Sequence, residues 1–263
     1  MTNYKRITPK IENKFHSFLR SVNALIIQSY LDQEGRLSYG YFFTILRPLL
    51  ITLLISLVLR AFSNDINLAD AIKIFLFPAG LFFLIREMIA KSTYADNRRF
   101  VLYLPNVNFF SLTFANCISI ILIYSPIFFV CIGLSLYFEY SFNYLIYFEL
   151  ILLGFFLGMA YQFLAALIIF ENKFLITVHS YVPISLLFLS CVFFPLESVP
   201  KDYHFFFLLN PMVHILEEVR TLFTLQHVEG IDLNYVYEFI FWLFLFLLPT
   251  YYLKTTFFLR KSI

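Results

Sequence analysis

The residues best suited to chemistry are two histidines and two carboxylates near the C-terminal end of the chain: His204, His214, Glu217 and Glu218. His214 and Glu218 are one helical turn apart, so a helix would place them on one face. Groups of this kind can bind zinc or act as general acids and bases. No other side chain supplies a convincing third ligand, so the sequence predicts no metal site.

The sequence contains no nucleotide-binding loop. It has 7 glycines, and none lies in a G-x-x-x-x-G-K-[ST] pattern that could cradle phosphates. Any energy-consuming work must therefore draw on ATP hydrolysis in another subunit or on an ion gradient.

The composition is that of a membrane protein. The chain of 263 residues is 60% hydrophobic and 14% charged, and its mean hydropathy is +0.79. A soluble domain of this size could not bury so much apolar surface. A helix needs roughly 20 apolar residues to cross a bilayer, and the candidate spans are 46–62, 72–89, 107–138, 145–170, 174–194 and 235–253. We therefore predict an all-α integral membrane protein, with an N-terminal segment at 1–45 and a six-helix transmembrane domain at 46–263.

The distribution of charge predicts the orientation. Lysine and arginine are concentrated at the N-terminus, between 86 and 99, at 173 and at the C-terminus, whereas acidic residues dominate the segment from 197 to 232. By the positive-inside rule both termini lie in the cytoplasm. Within the fourth span, Gly154, Gly158 and Ala160 form a small-residue stripe that favours close helix packing inside the chain.

An amphipathic helix is predicted before the first span. Apolar side chains recur there at helical spacing: Phe15, Phe18, Leu19, Val22, Leu25, Ile26 and Tyr30. Such a helix can lie on the inner leaflet of the membrane. The alternative is that a partner subunit covers the same face.

Prolines interrupt the apolar pattern between 191 and 220. Pro195 and Pro200 cannot donate backbone hydrogen bonds, so the preceding span should stop or kink there. Asn210 is a favourable N-cap and Pro211 suits a first helical turn, which predicts a new helix from about 212 to 225. The aromatic residues between the breaks are unsuited to a water-exposed loop, so we predict re-entrant or interfacial helices before the last span.

This region resembles the membrane subunit of bacterial capsular-polysaccharide exporters, a branch of the ABC-2 permease family. The letters FPLESVP at 194–200 and LNPMVHILEEVR at 209–220 are similar to the family segments FPL…S-[IV]-P and [LW]-N-P-[LM]-V-H-x-x-E-x-x-R at the periplasmic exit. We call residues 191–220 the exit segment. The letters GYFFTILRP at 40–48 resemble the family's G-Y-L-W-x-I-L-E-P, except that Phe43 replaces tryptophan and Arg47 replaces the acid.

The resemblance implies a transport subunit of the bacterial inner membrane rather than an enzyme. Two copies would assemble with two ABC ATPase subunits, which would hold ATP and Mg²⁺, so that this chain carries no cofactor. The transported substrate would be a lipid-linked polysaccharide. Periplasmic and outer-membrane export proteins would be further partners, and nucleic acid would not.

The resemblance, together with the residue types and their spacing, predicts three sets of functional residues. The loop expected to contact the ATPase contributes Tyr94, Asp96, Arg98, Arg99 and Phe100. The substrate channel is expected to involve Tyr39, Tyr41, Phe42, Phe43, Arg47 and Arg60. The periplasmic gate is expected to involve Pro200, Asn210, Pro211, His214, Glu217, Glu218 and Arg220, with ion pairs between Glu217 and Arg220 and between His214 and Glu218.

Two alternatives remain open from the sequence. Exporters of O-antigen or teichoic acid share the fold, so the glycan class is not fixed. A polytopic enzyme acting on lipid-linked sugars is a different possibility, and it would need acidic or histidine groups that converge at a membrane face. Only the helix that carries His214 offers such groups.

Overall fold

The structure is a computed structural model that describes residues 14–34, 46, 50, 51, 54, 72–93, 107–138, 143–169, 172–224 and 228–261. Within these residues the chain is helical and contains no β-strand. The helices, in chain order, are α1 Lys14–Glu34, α2 Phe77–Ala90, α3 Phe109–Tyr137, α4 Tyr144–Ile169, α5 Lys173–His179, α6 Val182–Leu189, α7 Lys201–Leu208, α8 Pro211–Thr224 and α9 Leu233–Lys261. A π-helical turn, Ile72–Leu76, precedes α2, and 3₁₀ turns occupy Lys91–Thr93 and Leu196–Ser198.

Three described helices are long and apolar enough to cross a membrane: Phe109–Tyr137, Tyr144–Ile169 and Leu233–Tyr252. They coincide with the predicted spans 107–138, 145–170 and 235–253, which confirms that those segments are long apolar helices. Pro126 lies inside α3 without ending it. Its nitrogen cannot serve the Leu122 carbonyl, and the Ser125 hydroxyl donates to that carbonyl instead over 2.8 Å.

The predicted span 174–194 is wrong as a single crossing helix. The apolar helical stretch Phe174–Leu189 is shorter than the roughly 20 residues that a crossing helix needs. It is also divided by a turn at Ser180 and Tyr181 into α5 and α6. The break has a local cause, because Pro183 in the first turn of α6 cannot donate to the carbonyl four residues earlier.

The other two predicted spans have different outcomes. Residues 72–90 form one helical stretch made of the π-helical turn and α2. Most of the predicted span 46–62 lies outside the described residues. Within it only residues 46, 50, 51 and 54 are described, and they are helical. The described helices therefore establish an all-helical protein with three candidate spans, and the total of six remains a prediction.

Helix α2 forms the centre of the core. Phe77, Leu81, Phe82, Leu84, Ile85 and Met88 are completely buried. The small-residue stripe of α4 lies against this helix, since a Cβ atom on Gly158 would be 2.7 Å from the Met88 Sδ and one on Gly154 would be 3.2 Å from the Leu81 Cδ2. The stripe thus packs within the chain, as predicted.

Helix α1 is amphipathic, and it uses part of its apolar face within the chain. Val22 and Leu25 pack against Leu112 and Ala115 of α3. Next to this contact the hydroxyl groups of Ser29 and Ser119 lie 2.8 Å apart. A second set of apolar side chains on α1 is exposed, namely Leu19, Ile27 and Leu31.

Candidate functional site

Two of the three predicted residue sets lie outside the described residues. The set assigned to ATPase contact falls there in full: Tyr94, Asp96, Arg98, Arg99 and Phe100. The set assigned to the substrate channel does so as well: Tyr39, Tyr41, Phe42, Phe43, Arg47 and Arg60. The exit segment is described throughout, and its geometry follows.

The chain turns sharply where the exit segment begins. Helix α6 ends at Leu189, and Cys191 follows with φ of 53°, a left-handed conformation that few non-glycine residues adopt. Pro195 precedes the 3₁₀ turn Leu196–Ser198, and Pro200 precedes α7. The prolines thus stand at the starts of new elements, and the preceding helix has already ended at Leu189, before either of them.

Asn210 caps α8 and also ties it to α6. Its Oδ1 accepts a hydrogen bond from the backbone nitrogen of Met212 over 3.1 Å, and Pro211 is the first residue of the helix. Its Nδ2 donates to the Leu189 carbonyl at the end of α6 over 3.1 Å. The predicted N-cap is confirmed, and the same side chain connects two helices that are about twenty residues apart in the sequence.

His214 bonds to two backbone groups. Its Nδ1 accepts from the backbone nitrogen of Asp232 over 3.0 Å, and its Nε2 donates to the Leu208 carbonyl over 2.8 Å. An Nδ1 that accepts must lack a proton, so the network requires the neutral imidazole with its proton on Nε2. The predicted pairing of His214 with Glu218 is therefore wrong, because both ring nitrogens bond to backbone groups, one at the end of α7 and one just before α9.

Glu217 and Arg220 form a buried ion pair, as the spacing predicts. Glu217 Oε1 lies 2.5 Å from Arg220 Nη1, and it also accepts from the backbone nitrogen of Leu196 over 2.8 Å. The two residues are only 1% and 3% exposed. Burial raises the pKa of the Glu217 carboxyl, and the positive charge of Arg220 opposes that rise.

Arg220 binds three further backbone carbonyls. Its Nη2 donates to Cys191 over 2.6 Å and to Val192 over 3.0 Å, and its Nε donates to Ile74 over 2.9 Å. One buried guanidinium therefore joins α8, the start of the exit segment and the turn that precedes α2. Desolvating an arginine is costly, and this dense set of acceptors offsets the cost.

The backbone partners of this pair were not predicted from the sequence. Main-chain carbonyls carry no residue signature, so the contacts to Cys191 and Val192 could not have been identified. The contact to Ile74 had a possible signal, because Pro78 lies four residues later within a predicted span and cannot donate to that carbonyl.

Helix α7 presents aromatic side chains outward. It has no buried residue, and Tyr203, Phe205 and Phe206 are each more than half exposed. Phe241, Trp242 and Phe246 on α9 are equally exposed. Aromatic residues favour the boundary between lipid and water, so the outward side chains of each of these helices suit the edge of a membrane.

Comparison with known proteins gives a match over one part of the chain. No family model matches it. Two curated sequences, each a polysialic acid transport protein KpsM of Escherichia coli, are 44% identical over 52 residues, which is 19% of this chain and 20% of each relative. The match thus spans about a fifth of the length of these relatives. Over that stretch the chain is similar to a polysaccharide transport protein, and its apolar helices are those of a membrane protein.

Proposed function

We propose that this chain is the transmembrane permease subunit of an ATP-driven ABC exporter that moves lipid-linked capsular polysaccharide from the cytoplasm to the periplasm. The observation that carries the proposal is the 44% identity over 52 residues to a polysialic acid transport protein. The long apolar helices agree with it, and so does an exit segment that is held by buried polar contacts. The chain would lie in the bacterial inner membrane with both termini in the cytoplasm.

The assembly would contain two copies of this chain and two ATPase subunits. The sequence has no phosphate-cradling loop, so hydrolysis of ATP would take place in the partner subunits. The loop around Arg98 and Arg99 would contact them, because it is basic, contains aromatic residues and lies on the predicted cytoplasmic side.

The exit segment would act as the periplasmic gate. Its polar side chains bond mainly to backbone groups of neighbouring turns: Asn210 to Leu189, His214 to Leu208 and Asp232, and Arg220 to Ile74, Cys191 and Val192. Such contacts fix a segment in one position without requiring it to be buried in lipid. A gate of this kind moves when a few polar contacts exchange partners.

The arrangement favours transport over catalysis. An enzyme acting on lipid-linked sugars needs an acid or base free to reach its substrate. Both ring nitrogens of His214 are occupied, and Oε1 of Glu217 is held by Arg220 and Leu196. His214 and Glu217 are therefore used to hold the backbone in place.

Deletion of the gene in its own host separates transport from synthesis. If the chain is an exporter, the deleted strain keeps making lipid-linked polysaccharide, which accumulates in the cytoplasm and is missing from the cell surface. Wild-type protein should restore surface glycan, whereas the variant with Arg98→Glu and Arg99→Glu should not. If the strain makes no polymer at all, the chain takes part in synthesis and the proposal is wrong.

A further inference from the structure

Arg220 supplies a hydrogen-bond donor to a turn next to which Pro78 lacks one. In an α-helix the Ile74 carbonyl would accept from the nitrogen of residue 78, whereas in the π-helical register of Ile72–Leu76 residue 78 would bond to the Lys73 carbonyl. That residue is Pro78, whose nitrogen carries no hydrogen. Nε of Arg220 donates to the Ile74 carbonyl over 2.9 Å, although the two residues are 146 positions apart. The proline on one helix and the arginine on another are thus complementary.

The backbone around Ile74 departs from the α-helix at the same place. Residues Ile72–Leu76 form a π-helical turn, and α2 begins directly after it with Pro78 in its first turn. Wider turns of this kind often occur at functional sites. Phe75, Leu76 and Phe77 are buried, and Ile74 is half-buried beside Glu217 and Arg220. A carbonyl left without a donor in such surroundings carries a desolvation penalty.

Arg220 connects this turn to the exit segment. The same guanidinium donates to Cys191 and Val192 and pairs with Glu217. A displacement of α2 along its axis would change the geometry of the Ile74 contact and, through a rigid planar group, that of the other three. Arg220 is therefore placed to sense the position of α2.

Helix α2 leads from this contact to the predicted cytoplasmic side. It is tightly packed along its length, since a Cβ atom on Gly80 would lie 2.9 Å from the Ile127 Cγ2. Tightly packed helices shift as bodies rather than bend. At the far end, Gln162 Nε2 donates to the Lys91 carbonyl over 3.4 Å, and Ser92 Oγ lies 2.9 Å from His179 Nε2. The next residues are those of the predicted ATPase-contact loop.

We propose that Pro78 and Arg220 form a matched pair that ties α8 to the outer end of α2, and that Arg220 is the positioning residue through which a movement of α2 reaches the exit segment. The pairing involves only residues of this chain and does not depend on the proposed function. The transmission of movement rests on the proposed function, because it needs an ATPase at the cytoplasmic loop.

A double-mutant cycle tests the pairing without ATP or glycan. Pro78→Ala gives residue 78 an N–H, which can bond to the Ile74 carbonyl once the turn adopts α-helical register. Arg220→Met should lower the midpoint of thermal unfolding of the purified chain in lipid nanodiscs. Pro78→Ala in that background should recover part of the loss, because the carbonyl is no longer without a donor. Losses that simply add would overturn the pairing.

Pro126→Ala is the matched control for this cycle. It also removes a proline from an apolar helix, but the Leu122 carbonyl is already served by Ser125, so it should not rescue Arg220→Met. Equal rescue by both alanine variants would mean a general effect of proline removal and would overturn the pairing. If Arg220→Met does not insert, Arg220→Lys serves in its place, since lysine keeps the charge but cannot serve four acceptors.

The transmission is tested by the glycan exported per ATP hydrolysed. The wild-type chain and Pro78→Ala are each reconstituted with the ATPase that co-purifies with the tagged chain. Pro78→Ala should lower this ratio while ATP hydrolysis continues, because the Ile74 carbonyl no longer needs Arg220. An unchanged ratio would overturn the transmission. If the wild-type chain exports no glycan, the proposed function fails, and the result of the cycle still stands by itself.

Discussion

The carboxylate of Glu217 and the guanidinium of Arg220 form an ion pair that is almost completely removed from solvent, with 2.5 Å between Oε1 and Nη1. Both residues lie on α8, three positions apart. Their remaining contacts run to Leu196, Cys191, Val192 and Ile74. The pair is therefore a buried contact that stabilises the exit segment, and it is not a solvent-exposed ion pair on the surface of a helix.

Removing the carboxylate should be strongly destabilising. Glu217→Leu leaves Arg220 buried without its counter-ion, which costs about 3–5 kcal/mol. It also deprives the Leu196 amide of its acceptor. The free energy of unfolding in detergent or nanodiscs measures the loss.

The neighbouring carboxylate provides the control. Glu218 is half-buried, and its carboxylate makes no hydrogen bond or ion pair with the described residues. Glu218→Leu should therefore leave the free energy of unfolding within about 0.5 kcal/mol of the parent. Equal losses for the two variants would contradict the role given to the Glu217–Arg220 pair.

The Asn210 side chain should matter for two separate reasons. Asn210→Ala removes the cap of α8, at about 1 kcal/mol, and also the donor to the Leu189 carbonyl. Asn210→Asp keeps the capping acceptor and loses only that donor, so it should be less destabilising and yet should still impair export. Surface glycan and protein abundance are measured in the same cells. Parental export by both variants would remove Asn210 from the gate.

The ATPase-contact loop should affect coupling to the ATPase without affecting folding of the chain. Replacing Arg98 and Arg99 by glutamate reverses the charge of a predicted cytoplasmic loop and should uncouple ATP hydrolysis from export without reducing the amount of protein in the membrane. Arg98→Lys with Arg99→Lys is the control that keeps the charge. If the glutamate variant exports normally, the loop has no part in coupling.

The predicted orientation can be measured with single cysteines. Asp202 is exposed on α7, and a cysteine there should react with a membrane-impermeant maleimide in intact cells. Cysteines at Asn3 and Ser262 should react only after the membrane is opened. The native cysteines Cys117, Cys131 and Cys191 are buried and should react slowly with the maleimide. Replacing them in the parent chain would lower any labelling that does not come from the introduced cysteine. Labelling of Ser262 in intact cells would contradict a cytoplasmic C-terminus.

The sequence predicts which apolar segments of this protein are helical better than it predicts where each helix begins and ends. Hydropathy identifies α3, α4 and the membrane part of α9, because long apolar runs allow little else. It fails at 174–194, where Pro183 breaks a helix that composition alone would continue. A hydropathy average takes no account of a missing backbone donor, so it cannot locate a break of this kind within an apolar run.

The candidate site is predictable to the extent that its contacts are local. The cap at Asn210 and the Glu217–Arg220 pair follow from spacing along one helix. The same rule predicts that His214 pairs with Glu218, and this is wrong because the backbone groups of Leu208 and Asp232 bond to the imidazole instead. Contacts with Ile74 and Leu189 join distant parts of the chain, and only the fold brings them together.

Transport by inverted membrane vesicles tests the central claim most directly. Vesicles that contain this chain and its co-purifying ATPase are supplied with lipid-linked polysaccharide on their outer, cytoplasmic face, and protection of the glycan from an added glycan hydrolase is followed over time. The account predicts that ATP produces protection and that vesicles without the chain, or with a non-hydrolysable ATP analogue, show none. Glycan that remains fully accessible with ATP, in vesicles where both subunits are assembled, would contradict it.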